Sequence, residues 1–464
     1  MNTPAQETYD VIVIGGGASG TALLYTLAKY TDIKRLALVE KYADAGLVNS
    51  NAKNNSQTLH VGDIETHYSY KKAAEVKPAS MMVARYTERL PEEEKQKIIR
   101  KMQKMALAVG EEEVKALRDR LVHLKEIFPT IEGLEGKDIA KLEPEVMKGR
   151  DPKEPVFALY NPEGYAVNFG ELSRSFIRAT KERASERADI LFNTEVTSIT
   201  KNGEGYRLET NNGILEARAV VVDTDAYSLG FAKSLGYGKE FSLIPIAGTF
   251  YFGPEVLRGK VYRVQDPKMP FSAAHGDRDI DAGGKTRFGP TARFFPVLEA
   301  RNYGSIGGYF RASGLGKWKT WKSFYDILLE PVRFKYLLKN VAYEFPYFGR
   351  FLFLPEVKKI IPTMSGFSLR RAKGYGGMRL QRVDTNTKEL LLGEGKIIGH
   401  NIIFNMTPSP GASVCLFNAM RDACEIEKFF KNEFVFDKNR MQQDLGCENL
   451  ETGTDVSLKA NYPA

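Results

Sequence analysis

Cysteine is scarce in this chain: its 464 residues include three, Cys415, Cys424 and Cys447, all late and with no CxxC pair. That spacing excludes a disulfide framework and the usual structural zinc site. The three are expected to be packing or surface thiols, and no bound metal is expected. Long apolar runs are missing as well. No uninterrupted stretch approaches the roughly 18 residues that a membrane-crossing helix needs, so the chain is not expected to span a bilayer. The opening MNTPAQETYD has no basic region followed by an apolar core, and the expected compartment is cytoplasmic. No repeat or low-complexity segment stands out, which argues for a continuous globular core. Histidine is rare too, five residues in all, so the imidazole candidates for proton chemistry form a short list.

Positive charge is present in excess. A net charge of +8 and a pI near 9.0 point to an anionic partner: nucleic acid, an acidic membrane face or an acidic substrate. Composition does not choose among them. The length implies two or three compact units of about 100 to 200 residues.

The stretch YDVIVIGGGASGTALLYTLAKY, residues 9 to 30, is the most informative one. Residues 9 to 14 are almost wholly apolar, as in a parallel strand buried on both faces, and they run into Gly15-x-Gly17-x-x-Gly20. In that pattern the first glycine makes the tight turn, the second lets the backbone approach a pyrophosphate, and the third brings helix and strand together. Ser19 lies inside the loop. A second apolar run, RLALVE, ends at Glu40, twenty residues after Gly20, where a carboxylate takes ribose hydroxyls. Strand, glycine loop, helix, strand and terminal acid in order predict a dinucleotide site, with FAD and NAD both open at this point.

Strand-like runs near residues 10, 38, 192, 221 and 402 suggest a nucleotide domain interrupted by insertions, an arrangement that favours a flavoprotein over an NAD dehydrogenase closed in one block. Residues 91 to 128, with Ile98, Met102, Met105 and Leu107, then Val114, Leu117, Leu121 and Leu124, read as solvated helices. Another helix starts at Phe169, and a polar tail is expected after about residue 437.

The stretch NNSQTLHVGDIETHYS, residues 54 to 69, makes the chain resemble the malate:quinone oxidoreductase family. Further blocks carry the same resemblance: LIPIAGTFYF (243–252), FSAAHGD (271–277), FGPTARF (288–294), GYGGMRLQ (374–381) and NMTPSPGASVCLFNAM (405–420). The resemblance implies an α/β fold: a discontinuous Rossmann-like FAD-binding domain, glutathione-reductase or D-amino-acid-oxidase-like, with an inserted α+β substrate domain. The expected segments are 1–70, 165–232 and 362–436 for FAD, 71–164 and 233–361 for the helical and substrate parts, and 437–464 for the tail. It also implies that the chain returns late to the cofactor, the helix after Pro410-Gly411-Ala412 pointing its N-terminus at the flavin, where free N–H groups stabilise negative charge. The implied cofactor contacts are Gly15, Gly17, Ser19, Gly20, Glu40, Gln57, Thr58, Val196, Pro410, Gly411 and Ala412. Three positions depart from the family pattern: Thr224-Asp225, where Ala-Gly is common, His67 and Leu380.

The implied reaction is FAD-dependent oxidation of malate, a small 2-hydroxy dicarboxylate, to oxaloacetate, with a membrane quinone as acceptor. Such a reaction needs a base for the hydroxyl proton and anchors for the carboxylates. His275, in AAHGD, is the first nominee for the base, because an imidazole with an ordinary pKa of about 6.5 suits proton abstraction near neutrality. His60 is its competitor. His123 and His400 are expected to be structural. Arg379 is the expected carboxylate anchor, its guanidinium matching a carboxylate in two places, and Arg287 is a weaker candidate.

Two other readings are oxidation of lactate or 2-hydroxyglutarate by the same fold, and an RNA-modifying basic flavoprotein, although no nucleic-acid partner is expected. The segment 317–359 holds both tryptophans, Trp318 and Trp321, and nine Lys/Arg against four Asp/Glu. It is expected to seat the enzyme peripherally on the inner face of the cytoplasmic membrane.

Overall fold

The structure, a computed structural model, describes residues 8–265, 274–391, 395–406, 410–448 and 450. Parts of two family-like blocks, residues 271–273 and 407–409, and the chain beyond 450 lie outside the described residues.

A mixed sheet forms the base of the molecule. Its labelled elements in chain order are β1 (Tyr9–Ile14), α1 (Ala18–Tyr30), β2 (Leu36–Val39), α2 (Phe169–Ala184), β3 (Ala188–Leu191), β4 (Val196–Asn202), β5 (Gly205–Thr210), β6 (Gly213–Val222), β7 (Lys396–Gly399), β8 (Ile402–Asn405) and α6 (Cys415–Phe429). The strand order is β7-β8-β6-β1-β2-β3, with β8, β6, β1, β2 and β3 parallel and β7 antiparallel at the edge. β4 and β5 form an antiparallel meander that feeds into β6. The strands expected near residues 10, 38, 192, 221 and 402 are therefore neighbours in one sheet.

The two-residue period of β1 explains the layering. Val11 and Val13 pack with α1, α2 and α6 on one face, while Ile12 and Ile14 pack on the other with Leu243, Ile246 and Phe404. All six residues of β1 are buried, so the strand has no polar face to show, as a covered parallel strand requires.

Among the described residues the inserted material builds a two-stranded sheet, Ile99–Lys101 with Tyr165–Val167, and two larger ones. One runs Arg293–Phe294, Phe241–Ala247, Met378–Asp384, Glu389–Leu391. The other has eight strands and includes Lys104–Val109, Lys260–Arg263, His275–Arg278 and Thr286–Gly289. Three helices follow on the chain: α3 (Trp318–Leu328), α4 (Pro331–Ala342) and α5 (Gly349–Lys358).

Two sequence expectations are corrected. Residues 91–128 are helical only at 92–98 and 111–127; Met105 and Leu107 lie in a strand whose central residues are buried on both faces. Lys104–Val109 pairs with two neighbours, and a run buried on both sides shows no alternation to separate it from a helix. The tail begins as a helix, Lys438–Leu445, with Met441, Leu445 and Cys447 in the main core. Asp444 fixes it, contacting Lys29 at 2.8 Å, Arg89 at 2.9 Å and the Tyr30 hydroxyl at 2.9 Å.

Candidate active site

The turn from β1 into α1 sets one wall of the main cavity. Gly15 has φ +113°, and a Cβ there would stand 2.4 Å from the Asp223 carbonyl oxygen, so only glycine fits. A Cβ on Gly20 would lie 2.0 Å from the Gly15 carbonyl oxygen; this glycine brings helix and loop together and does not itself line the cavity. Gly17 caps α1 with no side chain of its own; the Ala18 N–H donates to the Ser50 hydroxyl at 2.9 Å, and the helix end faces the cavity, where its dipole favours an anion. Glu40 closes the adjoining corner, its Oε2 accepting from the Gly16 N–H at 2.6 Å and its Oε1 from the Tyr42 N–H at 2.9 Å. Burial raises its pKa against those bonds.

The cavity runs from Glu40 and Val196 past Gly15, Gly17 and Ser19 to Thr58, His60, Arg379 and the turn Pro410–Ala412. The late turn and the early loop are tied together: the Ser413 hydroxyl accepts from the His60 N–H at 3.0 Å and donates to the Thr58 carbonyl at 3.4 Å. Nearly the whole length of the chain thus closes on one cavity. A glycine loop, a helix start facing the cavity and a carboxylate at its far corner fit a dinucleotide of the FAD type. Cys415 lies buried at the start of α6 and lines this cavity, burial pushing its thiol up to about 12.

His60 faces the cavity and is oriented from behind. Its Nδ1 lies 2.5 Å from Glu65 Oε1, and its Nε2 is 3.3 Å from the Ser56 hydroxyl. Glu65 Oε2 accepts from the Gly62 N–H at 2.8 Å. Burial by itself would raise the Glu65 pKa, but the His60 hydrogen bond and charge hold it at about 2. Arg379, at the start of the strand Met378–Asp384, also lines the cavity. It makes no ion pair among the described residues, and burial lowers its pKa. This half-buried guanidinium, with no carboxylate beside it among the described residues, is placed to take one from a ligand.

Three sequence nominees sit elsewhere. His275 begins a strand rather than closing one, and is buried outside the lining of the main cavity. Its ring stacks on Tyr262, centroids 4.2 Å apart and planes within 6°. Nε2 is 3.0 Å from Asp277 Oδ2, at an angle too poor for a hydrogen bond. Burial holds its pKa below the ordinary range. Arg287 is fully buried and already committed, 3.2 Å from Asp279 and 3.9 Å from Asp277, over the Phe250 ring at 4.5 Å. Gln57 points away from the cavity: its Oε1 accepts from the Ile280 N–H at 3.1 Å and its Nε2 donates to the Ala52 carbonyl at 3.3 Å.

Several lining residues escaped the sequence reading. Lys41 pairs with Glu299 at 2.7 Å, and the Tyr42 hydroxyl donates to the same carboxylate. Asn49 donates to Asp225 at 2.7 Å. Asp223 presents two buried carboxylate oxygens with no hydrogen-bond partner. Glu65 left a signal, a carboxylate five residues after a histidine in one short loop; Glu299 left none.

With this geometry in view, the comparisons are specific. The family model described as malate:quinone oxidoreductase matches residues 7–306. The chain belongs to that family. It is 39% identical over 453 residues to the malate:quinone oxidoreductase of Helicobacter pylori strain J99, covering 96% of this chain and 99% of that one. It is 40% identical over 446 residues to the probable malate:quinone oxidoreductase of Campylobacter jejuni subsp. jejuni, covering 94% and 98%. Among solved structures, the fold is similar to L-alpha-glycerophosphate oxidase from Mycoplasma pneumoniae, with a TM-score of 0.62 and 18% identity over 91% of this chain and 95% of that one. It is similar also to glycine oxidase from Geobacillus kaustophilus, TM-score 0.61 and 17% identity over 94% and 98%.

Proposed function

We propose that this chain oxidises (S)-malate to oxaloacetate with FAD and passes the electrons to a quinone, and that His60 rather than His275 takes the substrate's hydroxyl proton. The observation that carries the reading is the convergence of His60, held by Glu65, and an unpaired Arg379 on the cavity built by the glycine loop. The chemistry FAD supplies when bound is acceptance of a hydride and onward delivery of two electrons.

The residues around it divide the remaining work. The open end of α1 and Gly17 receive the diphosphate, Glu40 the ribose hydroxyls, and the turn Pro410–Ala412 with the start of α6 the flavin end. Arg379 grips one carboxylate with two N–H groups, which orients the hydroxyl-bearing carbon. Glu65 remains ionised and fixes the His60 ring, favouring the imidazolium formed when the proton arrives. His275 acts as a positioning residue, backing Tyr262, whose hydroxyl bonds Thr58 at 2.8 Å. The segment boundaries inferred from sequence serve as the proposed domain division.

Electrons destined for a lipid-soluble quinone leave at a bilayer, and among the described residues no helix is long and apolar enough to cross one. The docking face in this reading is the outer side of α3, α4 and α5. On α3, Phe324 and Ile327 are buried while Trp318, Trp321 and Tyr325 are exposed, 81% in the case of Trp318. Phe334, Leu338 and Val341 on α4 and Phe351 and Leu352 on α5 extend the apolar surface, with Tyr347 and Phe348 between them. Aromatic side chains of this kind favour the headgroup region, and the nine cations of the segment favour an anionic one. The seat is the inner face of the cytoplasmic membrane.

Anaerobic mixing of the FAD-loaded protein with L-malate tests the reaction. Bleaching of the flavin absorbance is expected. Bleaching by lactate or 2-hydroxyglutarate but not by malate would reassign the substrate.

A further inference from the structure

A second cavity, of about 390 Å³, lies between α4, α5 and the strand Lys260–Arg263. Its floor includes Pro290, which also walls the narrow cleft beside Arg379. Another wall is Tyr336, on α4. Pro290 is thus a wall shared by this cavity and the cleft that Arg379 lines.

Its mouth is cationic. Lys339, Lys359 and Arg263 converge on Glu356 at 2.8, 3.0 and 3.5 Å, and Arg263 also meets Glu113 at 3.1 Å. Among the described residues three cations face two carboxylates, leaving one positive charge in excess. Arg263 is only 15% exposed, and its buried Nε has no hydrogen-bond partner. Glu356 and Glu113 take its two terminal N–H groups, and what sets Arg263 apart from Arg287 is that it lines a cavity, where the remaining Nε–H is matched by a further carboxylate. The charged rim disfavours an apolar isoprenoid tail, for which passage would mean stripping water from Lys339, Glu356 and Lys359.

We propose that this cavity is the antechamber of the dicarboxylate substrate: Arg263, helped by Lys339 and Lys359, takes the dianion first and hands it past Tyr336 to Arg379. This rests on the function proposed above, because FAD lying along the main cavity leaves the substrate to arrive from the other side of Arg379. Cations lining a low-dielectric cleft raise the local concentration of an anion and its rate of arrival, an effect that salt screens.

Two measurements test it on the FAD-loaded protein. In stopped-flow reduction by malate at low salt, the double variant Lys339→Gln/Lys359→Gln is expected to lose about tenfold in the second-order constant. Its limiting rate at saturation should match the parent, and its salt dependence should flatten. An unchanged second-order constant overturns the proposal, as does a defect confined to quinone reduction, which would make the cavity an acceptor site. Calorimetric titration with succinate, which has two carboxylates and no oxidisable hydroxyl, reads the site without chemistry. Binding should survive in Arg379→Lys and vanish in Arg263→Gln; no binding to the parent, or the opposite pattern in the variants, overturns it. Failure of malate to bleach the parent's flavin while succinate behaves as expected would sink the reaction and leave the site standing.

Discussion

Glu65 lies directly behind His60: its Oε1 is 2.5 Å from Nδ1, and the carboxylate is 4% exposed. A buried carboxylate with one histidine and one backbone N–H as its partners holds that ring in one orientation, as the proposed base requires. His60→Gln should retain FAD and slow flavin reduction by malate about 10² to 10⁴-fold, the usual scale for a lost acid/base group. His275→Gln, altering a ring that stacks on Tyr262 outside the cavity lining, should have the smaller effect. Stopped-flow traces of both variants decide it, and the reverse order of effects would return the role to His275.

Arg379→Lys keeps a charge and loses the two-pronged grip. Losing one charge-assisted bond is worth about 1.5 to 3 kcal/mol, so the malate concentration for half-maximal reduction should rise by about 10 to 100-fold. A titration of reduction rate against malate measures this, and an unmoved midpoint would remove Arg379 from the site.

Asp225 gives the empty protein a pH dependence. It lines the cofactor cavity at φ +51°, an unusual conformation for a residue with a side chain, and burial raises its pKa to about 6, against the Asn49 hydrogen bond. A carboxyl whose folded pKa exceeds its unfolded value of about 3.9 contributes stability that is full below pH 4 and is lost as pH rises to about 6. Asp223 follows the same sign, raised to about 7 by burial and by Asp422. FAD-free Asp225→Asn should therefore gain melting temperature over the parent at pH 7, and the gain should shrink toward pH 4. FAD affinity of the parent should likewise fall as these acids ionise near a diphosphate, which flavin fluorescence titration at pH 5.5 and 7.5 can read.

Asp63 and Lys104 form an ion pair of 2.8 Å with neither side chain exposed. Asn161 donates to the same carboxylate at 2.5 Å, so the pair pins the loop that carries His60 beneath the strand Lys104–Val109. Asp63→Ala leaves a buried unpaired ammonium and should cost about 3 to 5 kcal/mol. The double change Asp63→Ala/Lys104→Met should cost less. Denaturant midpoints of the two variants compare them.

The aromatic face predicts reversible docking. The protein should co-float with anionic vesicles at low salt and release at high salt, while Lys317→Glu/Lys319→Glu/Lys322→Glu should stay in the soluble fraction with its FAD intact. Flotation of the triple variant like the parent would place the contact elsewhere.

The sequence by itself determined the parts that local chemistry writes. β1, the glycine loop, α1, β2 and Glu40 are contiguous, and the pattern of turn, helix start and terminal acid is written within them, so residues 9 to 40 were legible without a partner, although the carbonyl that forbids a side chain at Gly15 comes from Asp223. The family blocks were legible for the same reason, and with them the return of the late turn to the early loop. What only the tertiary structure decided is which side chains share a space. His60 and His275 are equally good imidazoles in one dimension; folding turns the first into the cavity and buries the second against Tyr262 and Asp277. Arg379 and Arg287 are alike until Asp279 and Phe250 occupy one of them. Met105 sits in a strand because neighbours cover it on both sides, and Met441 lies in the core because Asp444 ties its helix to α1. Those outcomes depend on contacts between residues tens to hundreds of positions apart, whose free energy exists only once the chain has closed on itself, and no local pattern records them.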